Sequence, residues 1–265
     1  MKLHVARFGT PGMPRQLWLH GFLGRGENWR ETLEPWADRY EFLCPDLPGH
    51  GSTPWTGEGL GATLEAIAHL AKDCLLAGGY SMGGRLLMMS AARHGDAFQT
   101  LVVESAALGY ADPAERASRR DLDASRARRL LEEGLPAFVR DWYAAPAWNS
   151  LREDEGRFAK VLADRSQGDA AGLAAAMEAF GPGHQPDLRQ WLRYTHLRIL
   201  WLAGGRDSTY VAEAEEVRQR MPRVRVGILP GAGHNAHLEQ PGLWRNAVGD
   251  FIQSQHLKDN QAWQQ

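Results

Sequence analysis

Short apolar runs recur along the chain, each bounded by glycine, proline or charged residues. They are Leu17-Trp18-Leu19, Phe42-Leu43-Cys44, Leu75-Leu76-Ala77, Leu101-Val102-Val103, Ile199-Leu200-Trp201-Leu202 and Val226-Gly227-Ile228-Leu229. The runs are continuous rather than alternating, which is how strands buried on both faces read. Between them, Trp29–Tyr40, Leu60–Asp73 and Met82–Arg93 carry apolar residues at helical spacing. Strands alternating with helices predict an α/β fold: a mostly parallel central sheet flanked by helices.

The rhythm breaks between Gly109 and Thr195. This stretch is rich in Ala, Arg, Glu and Asp and has no strand pattern. It has helical spacing in Arg126–Glu133 and Ala170–Phe180, and again in Asp187–Arg193 after a Gly181-Pro182-Gly183 turn. The expectation is a single domain with its core at 1–108 and 196–255 and an inserted helical lid at 109–195. Such a lid would cover the carboxyl ends of the strands, where open α/β sheets bind ligands. The polar Gln255–Gln265 end, with 256–265 outside the core, reads as a frayed tail.

Composition adds mostly exclusions. A length of 265 residues suits one sizeable domain. A net charge of −2 gives no electrostatic footprint for nucleic acid or an anionic membrane. The opening Met1–Gly9 lacks the apolar run of a signal peptide, and no stretch approaches the roughly 18 apolar residues of a membrane span, so a cytoplasmic protein is expected. Cys44 and Cys74 lie in or beside apolar runs and read as buried thiols. Sequence leaves the oligomeric state open.

Chemistry enters at Gly79-Tyr80-Ser81-Met82-Gly83, a G-x-S-x-G pattern with an apolar strand before it and a helical pattern after it. A turn this tight strains the serine backbone, and neighbours without a Cβ leave room for it. Ser81 would then sit at a helix N-terminus, where free N–H groups favour developing negative charge. A serine hydroxyl needs an imidazole to take its proton, and the imidazole needs an orienting carboxylate. Downstream, a strand ending in Gly204-Gly205-Arg206 presents Asp207, and another ending in Gly231-Ala232-Gly233 presents His234. The chain order Ser81, Asp207, His234 is that of an α/β-hydrolase triad.

The loop His20-Gly21-Phe22-Leu23-Gly24 follows the first predicted strand and is where a second oxyanion donor belongs; the expected donors are the backbone N–H groups of Phe22 and Met82. His20 is read as shaping that loop, and Asp46–Gly51 as scaffold. His234 and His237 lack a third ligand at a sensible spacing, so no metal site is read there. Arg85, four residues after Ser81, shares a helix face with it and opposes the helix dipole. An anionic substrate would account for it; so would a salt bridge to a lid acid.

Several further motifs narrow the resemblance. They are Gly84-Arg85, Val103-Glu104-Ser105, Asp141-Trp142-Tyr143 with Pro146, Gln185-Pro186-Asp187-Leu188, Gly205-Arg206-Asp207-Ser208 and Ala232-Gly233-His234-Asn235-Ala236-His237. Over about Leu17 to Phe251 the chain resembles the 2-succinyl-6-hydroxy-2,4-cyclohexadiene-1-carboxylate synthases of menaquinone biosynthesis, lyases of the α/β-hydrolase fold. The resemblance implies elimination of pyruvate from an enolpyruvyl ether without a cofactor, with Ser81 and His234 acting as a base. It also implies that Arg85, Arg119 and Arg165 hold the carboxylates of a small polycarboxylate substrate, with Trp142 and Tyr80 lining the pocket. Arg119 stands in a cluster with Arg116 and Arg120. The Ala106-Ala107-Leu108-Gly109 stretch departs from the family pattern. Two other functions use the same features: a serine hydrolase with Ser81 as nucleophile, and a binding protein that has given up catalysis.

Overall fold

A computed structural model describes residues 1–262, with side chains described to Ser254. Its centre is a seven-stranded sheet in the order β1-β3-β2-β4-β5-β6-β7. The strands are β1 (Val5–Gly9), β2 (Arg15–Leu19), β3 (Glu41–Pro45), β4 (Cys74–Tyr80), β5 (Thr100–Glu104), β6 (Arg198–Gly204) and β7 (Val224–Leu229). All neighbours pair in parallel except β1, which runs antiparallel to β3 from Val5↔Pro45 to Gly9↔Glu41. The six apolar runs of the sequence all lie in strands. The edge strand β1 was not predicted, because it is mostly half-exposed or exposed and carries no apolar run.

Alternate residues of each strand enter different cores. Leu17 and Leu19 of β2, Leu101 and Val103 of β5, and Ile199 and Trp201 of β6 pack on one face. Trp18, Val102, Leu200 and Leu202 pack on the other. Period-two geometry combined with burial of both faces explains the continuous apolar runs. The first face is covered by α2 (Gly59–Ala71), α3 (Met82–Arg93) and α10 (Ser208–Arg220). The second is covered by α1 (Arg30–Leu33) and α12 (Pro241–Ala262), the latter through Trp244, Val248, Phe251 and Ile252. Cys44 and Cys74 are free and buried.

Two expectations need correction. Trp29–Tyr40 is not one helix: a 3-10 turn at Gly26–Trp29 leads into α1, and a second 3-10 turn at Glu34–Trp36 follows. Pro35 supplies no N–H, so the pattern cannot continue as an α-helix. At the other end, α12 runs through Ala262, so most of the stretch expected to fray is helical; 263–265 lie outside the described residues.

Between β5 and β6 the described chain is helical: α4 (Pro113–Glu133), α5 (Leu135–Ala144), α6 (Asn149–Arg152), α7 (Glu155–Arg165), α8 (Ala170–Phe180) and α9 (Arg189–Tyr194). Asp112, Asp154 and Asp169 cap α4, α7 and α8 by accepting backbone N–H bonds. After α10 and β7, the short α11 (Ala236–Glu239) leads into α12.

Just after β5, Ser105 holds a left-handed backbone, φ 47°, and its buried hydroxyl has no hydrogen-bond partner among the described residues. Replacing it with glycine removes both the Cβ strain and the orphaned hydroxyl. Ser105→Gly is expected to raise folding stability by about 1 kcal/mol in urea titrations. A lower midpoint would show that the serine is compensated elsewhere.

Candidate active site

The site begins with the junction of β4 and α3. Ser81 sits there with φ 52°, ψ −112°, and its N–H donates to Glu104 O at 2.9 Å. The flanking glycines are required by space. A Cβ on Gly79 would fall 2.7 Å from the Gly83 carbonyl, and one on Gly83 would fall 2.5 Å from the carbonyl oxygens of Leu19 and His20.

Asp207, at the end of β6, is the N-cap of α10 and accepts from Tyr210 N at 3.4 Å. Its Oδ2 lies 2.7 Å from His234 Nδ1, and His234 Nε2 lies 3.1 Å from Ser81 Oγ. A carboxylate against Nδ1 fixes the tautomer: Nδ1–H donates to Asp207, and Nε2 is left to accept the serine proton. Asp207 and His234 are both buried. Trp148 meets the imidazole edge-on at 5.0 Å, and Tyr210 and Tyr80 pack at 4.8 and 5.4 Å.

The loop carrying His234 is clasped by Glu239, whose carboxylate accepts from Gly233 N at 2.8 Å and Asn235 N at 3.1 Å. Helix α6 presses on the same loop: a Cβ on Gly233 would lie 2.0 Å from Ser150 Oγ. Close by, Arg206 reaches Glu153 at 2.5 and 2.6 Å. Glu104 accepts from His237 N, His237 Nδ1 and Trp244 Nε1 at 2.8–3.1 Å. His237 is thus engaged by Glu104, and it stacks on Trp29 at 4.3 Å.

His20 donates from Nδ1 to Gly21 O at 2.8 Å and accepts Leu47 N–H on Nε2 at 2.9 Å, tying the Phe22 loop to the segment after β3. Asp46 accepts from Gly26 N and Ser52 N, at 2.6 and 2.8 Å. Phe22 and Met82 both border the space above Ser81, and neither backbone N–H has a hydrogen-bond partner among the described residues.

That space is a cavity of about 380 Å³ lined by the triad together with Arg85, Arg119, Trp142 and other lid residues. Arg85 is buried, its Nη1 has no partner, and it makes no ion pair among the described residues, so the salt-bridge alternative finds no support. Burial pulls its pKa down to about 10, which still leaves it cationic near neutrality. Arg119 lies at the wall and binds Asp123 through Nε at 3.0 Å to both oxygens. Of its neighbours, Arg120 bonds to the Gly183 carbonyl, and neither it nor Arg116 lines the cavity.

Two residues expected at the pocket are placed elsewhere. Tyr80 lies behind the triad against His234 and His237, because its ring fills the space a Gly21 side chain would need. Arg165 is buried beneath the oxyanion loop, with Nη1 on Leu23 O at 3.3 Å and on Asn28 Oδ1. It borders instead a separate groove of about 780 Å³ over Glu27, Glu34 and Lys160, which contains no triad member. The triad side chains line the smaller cavity.

Residues 16–247 match the Alpha/beta hydrolase family. A 2-succinyl-6-hydroxy-2,4-cyclohexadiene-1-carboxylate synthase from Escherichia coli (strain K12) is 37% identical over 248 residues, 91% of this chain and 95% of that protein. The chain belongs to the 2-succinyl-6-hydroxy-2,4-cyclohexadiene-1-carboxylate synthase family of α/β-hydrolases. The solved structure of MenH from S. aureus superposes with a TM-score of 0.90 at 25% identity, covering 96% of this chain and 99% of that one. A thermophilic esterase from Thermogutta terrifontis, 24% identical with a TM-score of 0.79 over 95% and 93% of the two chains, shares the fold.

Glu104, Arg126 and Glu239 were not read from the sequence as site residues. Glu104 stands there only within the Val103-Glu104-Ser105 motif and Arg126 only at the start of the Arg126–Glu133 helical spacing, and neither pattern shows what the side chain meets. Glu239 lies five residues after His234, and its role is visible only once the loop is folded.

The buried histidines give a pH signature. His20 and His50 have pKa values lowered to about 3, chiefly by burial, so both are neutral when folded. The unfolded chain takes up these protons near pH 6.5, so their contribution is complete above that pH and is lost as pH falls towards 3. Each should cost about 2 kcal/mol of stability between pH 7 and pH 5. Urea titrations at the two pH values measure this; a flat result would mean that the rings accept protons without unfolding.

Proposed function

We propose that the protein is a carbon–oxygen lyase that eliminates pyruvate from 2-succinyl-5-enolpyruvyl-6-hydroxy-3-cyclohexene-1-carboxylate to give 2-succinyl-6-hydroxy-2,4-cyclohexadiene-1-carboxylate. The single observation that carries the reading is Arg85: a buried guanidinium with no acidic partner, in the cavity that holds Ser81. An acyl pocket for a plain ester would be apolar there. A polycarboxylate gives the cation its missing partner, and the chain's family supplies the ring chemistry.

The reaction balances on the ring. The C2 proton, acidified by the neighbouring succinyl carbonyl, is removed by Ser81 Oγ as its own proton passes to His234 Nε2. The C2 electrons form C2=C3, the old C3=C4 bond moves to C4=C5, and the C5–O bond breaks. Enolpyruvate leaves as its enolate, takes the proton held on His234 Nε2, which restores the neutral imidazole, and tautomerises to pyruvate. Asp207 stabilises the transient imidazolium. The Phe22 and Met82 N–H groups offer donors to the enolate oxygen, in a space that costs little reorganisation. Arg85 and Arg119 are assigned to substrate carboxylates, and Trp142 to the ring's apolar side. Arg165 and Tyr80 act indirectly, the first by supporting the Leu23–Gly24 turn and the second by backing the His234 ring. No step calls for a cofactor. The two free, buried thiols fit a cytoplasmic setting.

Ser81→Ala, His234→Ala and Asp207→Asn should each cost orders of magnitude in pyruvate release, with double variants little worse, because the three act as one unit. Near wild-type release by Ser81→Ala would end the triad assignment. Arg85→Ala should cost about 2–5 kcal/mol in transition-state terms, only partly recovered by Arg85→Lys, because an ammonium lacks the planar fork. Elimination also predicts pyruvate release without a pre-steady-state burst and unmodified protein by mass spectrometry during turnover. A stoichiometric Ser81 adduct formed from this substrate would favour the hydrolase reading, in which Ser81 attacks a carbonyl.

A further inference from the structure

The cationic side chains of the triad cavity are unequally paired. Arg129 is neutralised by Glu133 at 2.9 and 3.0 Å and by Asp141 at 2.7 Å. Arg119 engages both oxygens of Asp123. Arg126 lies on the same face of α4, three residues beyond Asp123, and also lines the cavity. Its Nη1 comes no closer than 3.7 Å to Asp123 Oδ1, and its side chain makes no hydrogen bond among the described residues.

Instead, the Arg126 guanidinium lies over the Trp142 ring, 5.5 Å from the centroid. Trp142 is itself fixed, stacked on Phe138 at 5.7 Å and packed against Phe22 at 5.3 Å. Trp142 therefore gives Arg126 a rigid base and connects it to the oxyanion loop. Half-buried, with its pKa lowered by desolvation and then by the charge of Arg119, Arg126 is a cation that its surroundings under-compensate.

We propose that Arg126, seated on Trp142, is a further recognition residue whose free guanidinium edge binds a carboxylate at the lid end of the cavity, while Arg85 takes another near Ser81. This rests on the proposed function and extends it. Asp123 engages Arg119 only through Nε, so Arg119 keeps the carboxylate assigned to it, and guanidiniums at separate positions select a ring with carboxylates on different arms and reject one with a single carboxylate. Arg126 therefore acts on substrate capture and takes no part in proton transfer.

The test compares wild type, Arg126→Gln and Arg126→Lys. Calorimetry measures binding of a benzene ring bearing one carboxylate and a succinyl arm, a stable aromatic counterpart of the proposed product, and of benzoate, which lacks the arm. Pyruvate release gives kcat and KM for the three proteins, and thermal melting checks that the variants fold. The expected result for Arg126→Gln is a roughly 10–100-fold loss of affinity for the two-carboxylate ligand and a similar rise in KM. Its kcat should stay within about threefold and its benzoate affinity should be unchanged. Arg126→Lys should recover part of the loss, since it keeps the charge but not the fork. Unchanged binding and KM in Arg126→Gln would overturn the proposal, as would wild-type binding of the two-carboxylate ligand no tighter than benzoate. The binding measurement needs no turnover: a wild-type protein that binds the two-carboxylate ligand but releases no pyruvate would sink the lyase reading while the Arg126 result still stood.

Discussion

Glu104 couples the two halves of the site. Its backbone oxygen receives the N–H of Ser81, and its buried carboxylate receives His237 and Trp244. The end of β5 thus holds the strained serine on one side and, through α11, the loop of His234 on the other. A carboxylate this buried is costly unless its lone pairs are filled, and here three donors fill them. The constraint works in both directions: Glu104 is tolerable because the site closes around it, and the site keeps its register because Glu104 cannot move without losing partners.

A division of labour follows. Three groups that hold geometry are internally satisfied: His20 bonds through both nitrogens, Glu239 grips both amides flanking His234, and Asp46 accepts from two backbone N–H groups. Groups that face the cavity are left wanting. Among the described residues, the Phe22 and Met82 N–H groups, Arg85 Nη1 and the Arg126 guanidinium have no hydrogen-bond partner. Unmet polar demand around a small space is where ligand chemistry is to be expected.

The sequence revealed the features that rest on local physics. Five strands could be read because both of their faces are buried, β7 at the half-exposed sheet edge because it keeps an apolar run, and the Ser81 elbow because tight backbone packing admits only glycine at positions 79 and 83. The order of Ser81, Asp207 and His234 and their places after strands were legible for the same reason. Features set by long-range contact were not. β1 pairs as an exposed edge, α7 buries little beyond Val161 and Arg165, and the 29–40 pattern ignores what Pro35 does to a helix. The resemblance implied that Arg165 holds a substrate carboxylate and that Tyr80 lines the pocket, but position along the chain does not tell a residue behind a loop from one in front of it. The difference lies in which neighbour fills the space, here Asn28 and Leu23 for one and Gly21 for the other.

The footing of α6 has a further consequence. Ser150 fills the space that a side chain at Gly233 would need, Trp148 closes on the His234 ring, and Glu153 pairs with Arg206 beside Asp207. The insertion is therefore keyed into the loops that carry the base and its carboxylate, so it is not an interchangeable cover. A transplanted insertion would have to reproduce that footing or displace the imidazole. Divergence in ligand preference is thereby channelled away from α6 and onto α4, where a side chain such as Arg126 can be exchanged while the machinery beneath stays seated.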